Sequence, residues 1–313
     1  MIAVIGGTGF IGKAIVAELL RRKQQVVIVS HSNRRQMTVD GQNVEVRYGD
    51  VTDKASLVKA LQGATCVVGA AQFKDFPNQN PRKGLTFDRV DRQGTENAVA
   101  AAMEVGAQRY VYISGAGAAP DSDKVWFRAK WAAEMAIRNS TLTYAIIRPS
   151  WVYGPEDKAL NRYVAFVRSP LPVVPVIGNG KQRLQPVFVD DVARVAAEGV
   201  QGTLDGVYEI GGPDVLTMDE IIRIVEDVLG KKKPLLHQPA WLVKALFSPK
   251  ALIPALPIPL TPEGVTFATM DAVCDTRPLL EALPQLRLTP LREGLESYLG
   301  TKAREKKTSA ATG

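Results

Sequence analysis

Seven residues near the start of the chain, Gly6-Gly7-Thr8-Gly9-Phe10-Ile11-Gly12, constrain the fold more than any other stretch. They follow a short apolar run at residues 2–5 and open a segment, residues 10–22, whose apolar side chains recur at helical spacing. Gly7, Gly9 and Gly12 satisfy G-x-G-x-x-G, and Gly6, Gly9 and Gly12 satisfy the related G-x-x-G-x-x-G. The physical demands behind such spacing are a tight turn, close approach of backbone to a pyrophosphate, and close packing of helix on strand. The helix N-terminus adds free N–H groups and a dipole that favours phosphate. A glycine turn serving the fold alone is the competing reading. The strand before the glycines and the helix after them favour a dinucleotide site.

The rest of the first half repeats the strand–helix alternation. Apolar runs at 26–29, 44–48, 65–68, 110–114 and 144–147 predict further strands, and helices are predicted over 54–61, 86–105 and 126–138. Little alternation within these strands points to a parallel sheet buried on both faces. The expected fold is α/β, a Rossmann doubly wound parallel sheet with a smaller C-terminal α/β domain. Residues 1–150 form the expected dinucleotide domain. Residues 151–300 form a substrate- or partner-facing domain with segments returning to the Rossmann core, and 301–313 a disordered tail. In the second half proline becomes dense, and helices are predicted over 190–200 and 217–229, with Asp190 and Thr217 as N-cap candidates.

Composition narrows the function classes. The formal net charge is +7, which suits anionic ligands or surfaces, but no Lys/Arg block interleaves with aromatics, so no nucleic-acid partner is expected. Two cysteines, Cys66 and Cys274, imply no disulfide framework, and two histidines without a paired-cysteine motif imply no metal site. No targeting peptide is visible and no apolar run is long enough to span a bilayer, so the expected location is cytoplasmic, with peripheral attachment to a membrane as the further option. Residues 239–259 carry an apolar stretch broken by prolines, read either as core of the smaller domain or as an exposed patch docking on a membrane surface or membrane-complex partner.

Cofactor preference is read at the end of the second strand. An NAD-preferring site places an acid there, about twenty residues beyond the glycines. Here the strand runs into Ser30, His31, Arg34 and Arg35, with no acid between Glu18 and Asp40. Hydroxyls, a histidine and arginines suit a 2′-phosphate, so NADP(H) is expected, with NAD(H) as the alternative and plain loop charges as the bland reading. Asp50 and Val51, after the third strand, are candidates at the adenine, although Asp50 also suits a turn. Ala70, Ala71 and Pro149, at later strand ends, complete the expected cofactor lining together with Gly6, Gly7, Thr8, Gly9, Phe10, Ile11 and Gly12.

These pieces, with Gly49-Asp50-Val51-Thr52-Asp53, Asp91-Arg92-Gln93-Gly94-Thr95-Glu96-Asn97, Phe127-Arg128-Ala129-Lys130-Trp131, Tyr153-Gly154-Pro155 and Val187-Phe188-Val189-Asp190-Asp191, resemble the short-chain dehydrogenase/reductase superfamily in its extended and atypical branches. The nearest likeness is to the atypical group related to the NADPH-binding accessory subunit of respiratory complex I. The resemblance implies that Lys130 holds the nicotinamide ribose. It also implies a tyrosine four residues earlier as acid/base, where this chain has Trp126, an indole that can donate but not exchange a proton as a phenol does. The usual catalytic Ser/Thr lies just after this strand; Ser114 stands a step or two early, and the expected position holds Gly or Ala. Tyr153, Asp121, Asp123 and Lys124 could substitute, but each also reads as turn or solvated loop. Two functions follow. One is a cofactor-holding protein with weak or absent dehydrogenase chemistry, attached to a complex I-like redox assembly. The other is an active NADP(H)-dependent reductase or epimerase of a small carbonyl or isoprenoid-like substrate.

Overall fold

The computed structural model describes residues 1–32, 34–73, 75–246 and 261–300. They form two compact units. The first holds Met1–Pro149, Val189–Ile210 and Cys274–Leu286; the second holds the described residues of Ser150–Phe188, Gly211–Val273 and Arg287–Gly313.

In the first unit β1 (Ile2–Ile5), β2 (Val26–Ser30), β3 (Gln36–Val39), β4 (Gln42–Tyr48), β5 (Cys66–Gly69), β6 (Arg109–Ile113) and β7 (Thr143–Pro149) share an eight-stranded sheet with a later strand, Gly206–Ile210. From that late strand the order runs 7-6-5-1-2-4-3, and every pairing is parallel except β3 with β4. Parallel strands need helical crossovers. These are α1 (Phe10–Arg21), α2 (Lys54–Ala60), α3 (Gly94–Glu104) and α4 (Val125–Arg138). The chain leaves β1 toward β2 on one side and later returns to β5 on the other. The sheet therefore reverses direction beside β1, which places a crevice at the carboxyl end of that strand. The strands are buried without alternation, Ile2–Ile5 and Cys66–Gly69 along their whole length, because helices cover both faces. Cys66 lies in that core, and burial pushes its thiol up to about 12.

Two local features differ from the sequence expectation. The third predicted strand is a hairpin: β3 and β4 join through Asp40 (φ 49°) and Gly41 (φ 74°), two left-handed residues that match the right-handed twist of the flanking strands. The single helix predicted over 86–105 opens with a π-helical segment, Phe87–Gln93, before α3.

In the second unit β8 (Trp151–Tyr153) pairs in parallel with β11 (Pro186–Phe188). Strand β9 (Val174–Ile177) pairs in parallel with β14 (Leu235–Gln238), and β10 (Arg183–Leu184) antiparallel with β13 (Leu216–Thr217). Helix α5 (Ala159–Arg168) packs on α7 (Met218–Leu229). Helix α7 starts on a capping box: the Thr217 hydroxyl accepts from Glu220 N and the Glu220 carboxylate accepts from Thr217 N. The other N-cap candidate, Asp190, is instead inside the first turn of α6 (Val189–Gln201), which returns to the first unit before β12 (Gly206–Ile210).

Of the apolar stretch at 239–259, Trp241 is 71% exposed and Leu242 is also exposed, whereas Phe247 and Leu252 lie outside the described residues, as does the tail 301–313. Among the described residues no helix is long and apolar enough to cross a membrane, and no cluster of His, Cys, Asp and Glu could hold a metal ion.

Candidate dinucleotide site

The glycines do different work. Gly6 has φ of 80°, and a Cβ on it would stand 2.7 Å from the Ala70 carbonyl oxygen, so the loop lies directly on the Ala70–Ala71 end of β5. A Cβ on Gly12 would stand 2.2 Å from the Gly6 carbonyl oxygen, and one on Gly7 would stand 3.0 Å from the Ile28 side chain. These three are demanded by the chain's own packing. Gly9 is not. It is exposed, its backbone is extended (φ −83°, ψ 172°), and its Cβ would meet one atom, the Gly6 carbonyl oxygen at 3.3 Å. A missing side chain that the fold itself hardly requires is what a cradle for a closely approaching phosphate needs. Gly9 is also the N-cap of α1 and no side chain caps that helix, so the N–H groups of its first turn, at Phe10, Ile11 and Gly12, are left for an anion.

At the carboxyl end of β2, the Ser30 hydroxyl is buried. It lies 3.3 Å from Thr8 Oγ1 and accepts from Ser32 N at 3.3 Å. It therefore braces the glycine loop against β2 rather than facing outward. His31, Arg34 and Arg35 are exposed. Asp50 Oδ1 accepts from the Thr52 amide and hydroxyl, both at 2.8 Å, an Asx-type turn, while Oδ2 has no hydrogen bond among the described residues. The Val51 carbonyl accepts from Asn97 Nδ2 at 2.9 Å, and Gly94 allows α3 to close on the Val51 side chain, which a Cβ would meet at 2.9 Å.

At the other end Lys130 is 9% exposed. Its Nζ lies 3.0 Å from Asp91 Oδ1, donates to the Ile113 carbonyl at 3.3 Å and sits 5.1 Å from the centre of the Tyr112 ring. Burial pulls the ammonium's pKa down, but the facing Tyr112 and Asp91 outweigh it and hold the group above its ordinary value. Trp126, one turn earlier, is buried against Phe87 and Phe127, with ring centres 6.0 and 5.9 Å away. The Ser114 hydroxyl donates to Glu134 Oε1 at 2.6 Å. Glu134 has no exposure and also accepts from Arg148 (2.8 and 2.7 Å) and Arg138 (3.1 Å). Ser114 is thus committed to a buried ionic network at the end of β6. Pro149, next to Arg148, is fixed by the Ala116 amide, which donates to its carbonyl at 2.9 Å. In the second unit Tyr153 is fully buried and its hydroxyl donates to the Pro290 carbonyl at 3.4 Å, which is a packing role.

The sequence assigned no role at the site to Asp91, Tyr112 or Glu134. The available signal was helical spacing: Trp126, Lys130 and Glu134 recur every four residues, one stripe of α4.

A parallel sheet reversing beside β1, a glycine loop with one unclaimed cradle, and a buried lysine at the far end define a dinucleotide-binding Rossmann protein. Residues 6–200 match the NAD(P)H-binding family, and the chain belongs to that family, as an atypical short-chain dehydrogenase/reductase. It is similar to the mitochondrial NADH dehydrogenase (ubiquinone) 1 alpha subcomplex subunit 9 of Arabidopsis thaliana, 32% identical over 82% of this chain and 65% of that protein. It is also similar to the ceramide reductase of Caulobacter vibrioides, 27% identical over 76% of this chain and 74% of that protein. The chain spans less than two thirds of the length of the complex I subunits it matches, 59 to 65%. Among solved structures, the UDP-glucose 4-epimerase of Thermus thermophilus in complex with NAD shares the fold at a TM-score of 0.72. It is 20% identical, covering 96% of this chain and 99% of that one.

Proposed function

We propose that this chain holds NADP(H) with little or no dehydrogenase turnover, as an accessory or assembly component of a complex I-like redox assembly peripheral to a membrane. The observation that carries the reading is the state of the two positions that would supply protons. Trp126 stands one turn before Lys130, sealed among aromatic rings, and the Ser114 hydroxyl is spent on Glu134. General acid–base work requires a titratable group within hydrogen-bond reach of the reacting oxygen. Neither residue supplies one.

The binding residues fit the cofactor. The cradle at Gly9 and the first turn of α1 would take the pyrophosphate, Val51 and Asp50 the adenine, Ala70, Ala71 and Pro149 the cofactor's flanks, and Lys130 the nicotinamide ribose. Exposed Arg34 and Arg35, with His31 beside them, would take a 2′-phosphate, which favours NADP(H) over NAD(H). The bound nicotinamide supplies hydride chemistry; the chain supplies binding and orientation. The likeness to the complex I subunits supports the accessory role.

The competing reading, an active reductase, is favoured by the 27% identity to a ceramide reductase along most of its length. Purified protein assayed for co-purifying dinucleotide, then for NADPH oxidation against a panel of ketones and aldehydes, decides between them. Bound NADP(H) without turnover supports the cofactor-holding role. Multiple turnovers on any member of the panel overturn it.

A further inference from the structure

We infer that Asp91 is a positioning residue of the dinucleotide site: its buried carboxylate fixes the Lys130 ammonium in the one orientation that leaves a proton for the cofactor's ribose. The inference rests on the reading of Lys130 as a ribose ligand and adds how this chain holds it.

Asp91 is 1% exposed, and its carboxylate has no hydrogen bond other than the 3.0 Å pair with Lys130 among the described residues. A buried carboxylate with a single cationic partner is costly to keep unless the pair itself is used. Lys130 carries three N–H donors. One meets Asp91 Oδ1, one meets the Ile113 carbonyl, and the Tyr112 ring lies under the same group. One proton remains, and its direction is set by the other two.

The backbone that carries Asp91 is itself unusual. It belongs to the π-helical segment Phe87–Gln93, a geometry that persists only where packing enforces it. The Thr95 hydroxyl donates to the Asp91 carbonyl at 2.6 Å and locks the junction between π-segment and α3. Three and six residues beyond Asp91, Gly94 packs on the Val51 side chain and Asn97 donates to the Val51 carbonyl. The run from Asp91 to Asn97 therefore ties the two ends of the dinucleotide groove together. The other charged or titratable groups around Lys130 are accounted for. Tyr112 faces it from β6, and Glu134 on its own helix is occupied by Arg148 from β7 and by Arg138. Asp91 is thus the carboxylate that faces Lys130; with Tyr112 it holds the ammonium above its ordinary value, while burial pushes the Asp91 carboxyl itself up.

The test titrates NADPH, by its own fluorescence, into wild type, Asp91→Asn, Lys130→Met and the double variant between pH 7.0 and 9.5. Thermal unfolding of each apo protein is measured alongside. Wild-type affinity is expected to be flat with pH. Asp91→Asn is expected to weaken binding about tenfold at pH 7.5 and increasingly toward pH 9.5, because a buried lysine without its carboxylate loses its proton more easily. In the Lys130→Met background the same substitution should cost nothing more. Asp91→Asn with wild-type affinity and a flat profile overturns the inference, as does an equal loss in both backgrounds. Should Asp91→Asn not fold, Asp91→Glu decides: it keeps the charge but displaces the ammonium, so weaker binding with a flat profile is expected, and unchanged affinity overturns the inference. Lys130→Met with full affinity removes the ribose reading itself, a result separate from either of these.

Discussion

Substituting Gly9 and Gly12 separates a glycine kept for a ligand from a glycine kept for the fold. In Gly9→Val the backbone stays in an extended region open to any residue, and the new Cβ meets one carbonyl oxygen at 3.3 Å. Valine is a poorer N-cap than glycine, which costs about 1 kcal/mol. Against a typical total of about 5–15 kcal/mol the protein stays folded. In Gly12→Ala the Cβ would fall 2.2 Å from the Gly6 oxygen, 2.8 Å from its carbon and 2.9 Å from Gly7 Cα, all backbone. That overlap forces the loop off the helix and costs about 3 kcal/mol. For cofactor affinity the order reverses in meaning. Valine at position 9 fills the cradle and pushes the phosphate off at least two backbone donors, each charged hydrogen bond being worth about 1.5–3 kcal/mol. The loss is at least about 100-fold in Kd. Thermal unfolding and NADPH titration of both variants check the pair. Gly9→Val with a Kd near wild type, or Gly12→Ala as stable as wild type, would refute the division of labour drawn from the loop geometry.

Two further outcomes follow from separate parts of the chain. Wild type should bind NADPH more tightly than NADH, and Arg34→Ala combined with Arg35→Ala should erase the difference with little effect on NADH. Equal calorimetric affinities in the wild type would remove the assignment of those exposed arginines to a 2′-phosphate. In the second unit Asp157 accepts from the Ala159 and Leu160 amides at 2.9 and 2.7 Å, yet burial outweighs them and lifts its carboxyl to about 6. Its folded pKa is then above the unfolded value of about 3.9, so its contribution is full below pH 4 and is lost as pH rises toward 6, by about 3 kcal/mol. Denaturant unfolding of wild type and Asp157→Asn at steps from pH 4 to 7 should show the difference narrowing in that sense; parallel curves would contradict it.

The Rossmann unit was legible because its signals are local. Each strand is a short apolar run, each helix has its own periodicity, and the glycines announce the turn at β1. The hairpin of β3 and β4 was missed although Asp40-Gly41 is a strong two-residue turn signal, because β3 (Gln-Met-Thr-Val) is polar at alternate positions and half-exposed. The short parallel ladders of the second unit left little trace, since β9 and β11 each contain proline and are only three or four residues long.

Beyond the glycine loop and the strand ends, the site was legible only along α4. Spacing placed Trp126 one turn before Lys130, and the same arithmetic continues to Glu134, giving a stripe of an indole, an ammonium and a carboxylate that are all buried. What spacing could not supply is what each member meets. Lys130 meets Asp91 where the π-segment ahead of α3 packs on α4, and Ser114 meets Glu134 across 20 positions of sequence. A serine at a strand end can donate to a substrate or to a carboxylate, and its own neighbours in sequence do not distinguish the two. The choice is made by the residue that α4 turns toward it. With a carboxylate held there by Arg138 and Arg148, the hydroxyl has a charged acceptor already in place, and a charge-assisted hydrogen bond of that kind outcompetes a neutral carbonyl. On the proposed reading, the helix that carries the lysine for the ribose would also carry, one turn on either side, the two residues that withdraw proton chemistry from the site.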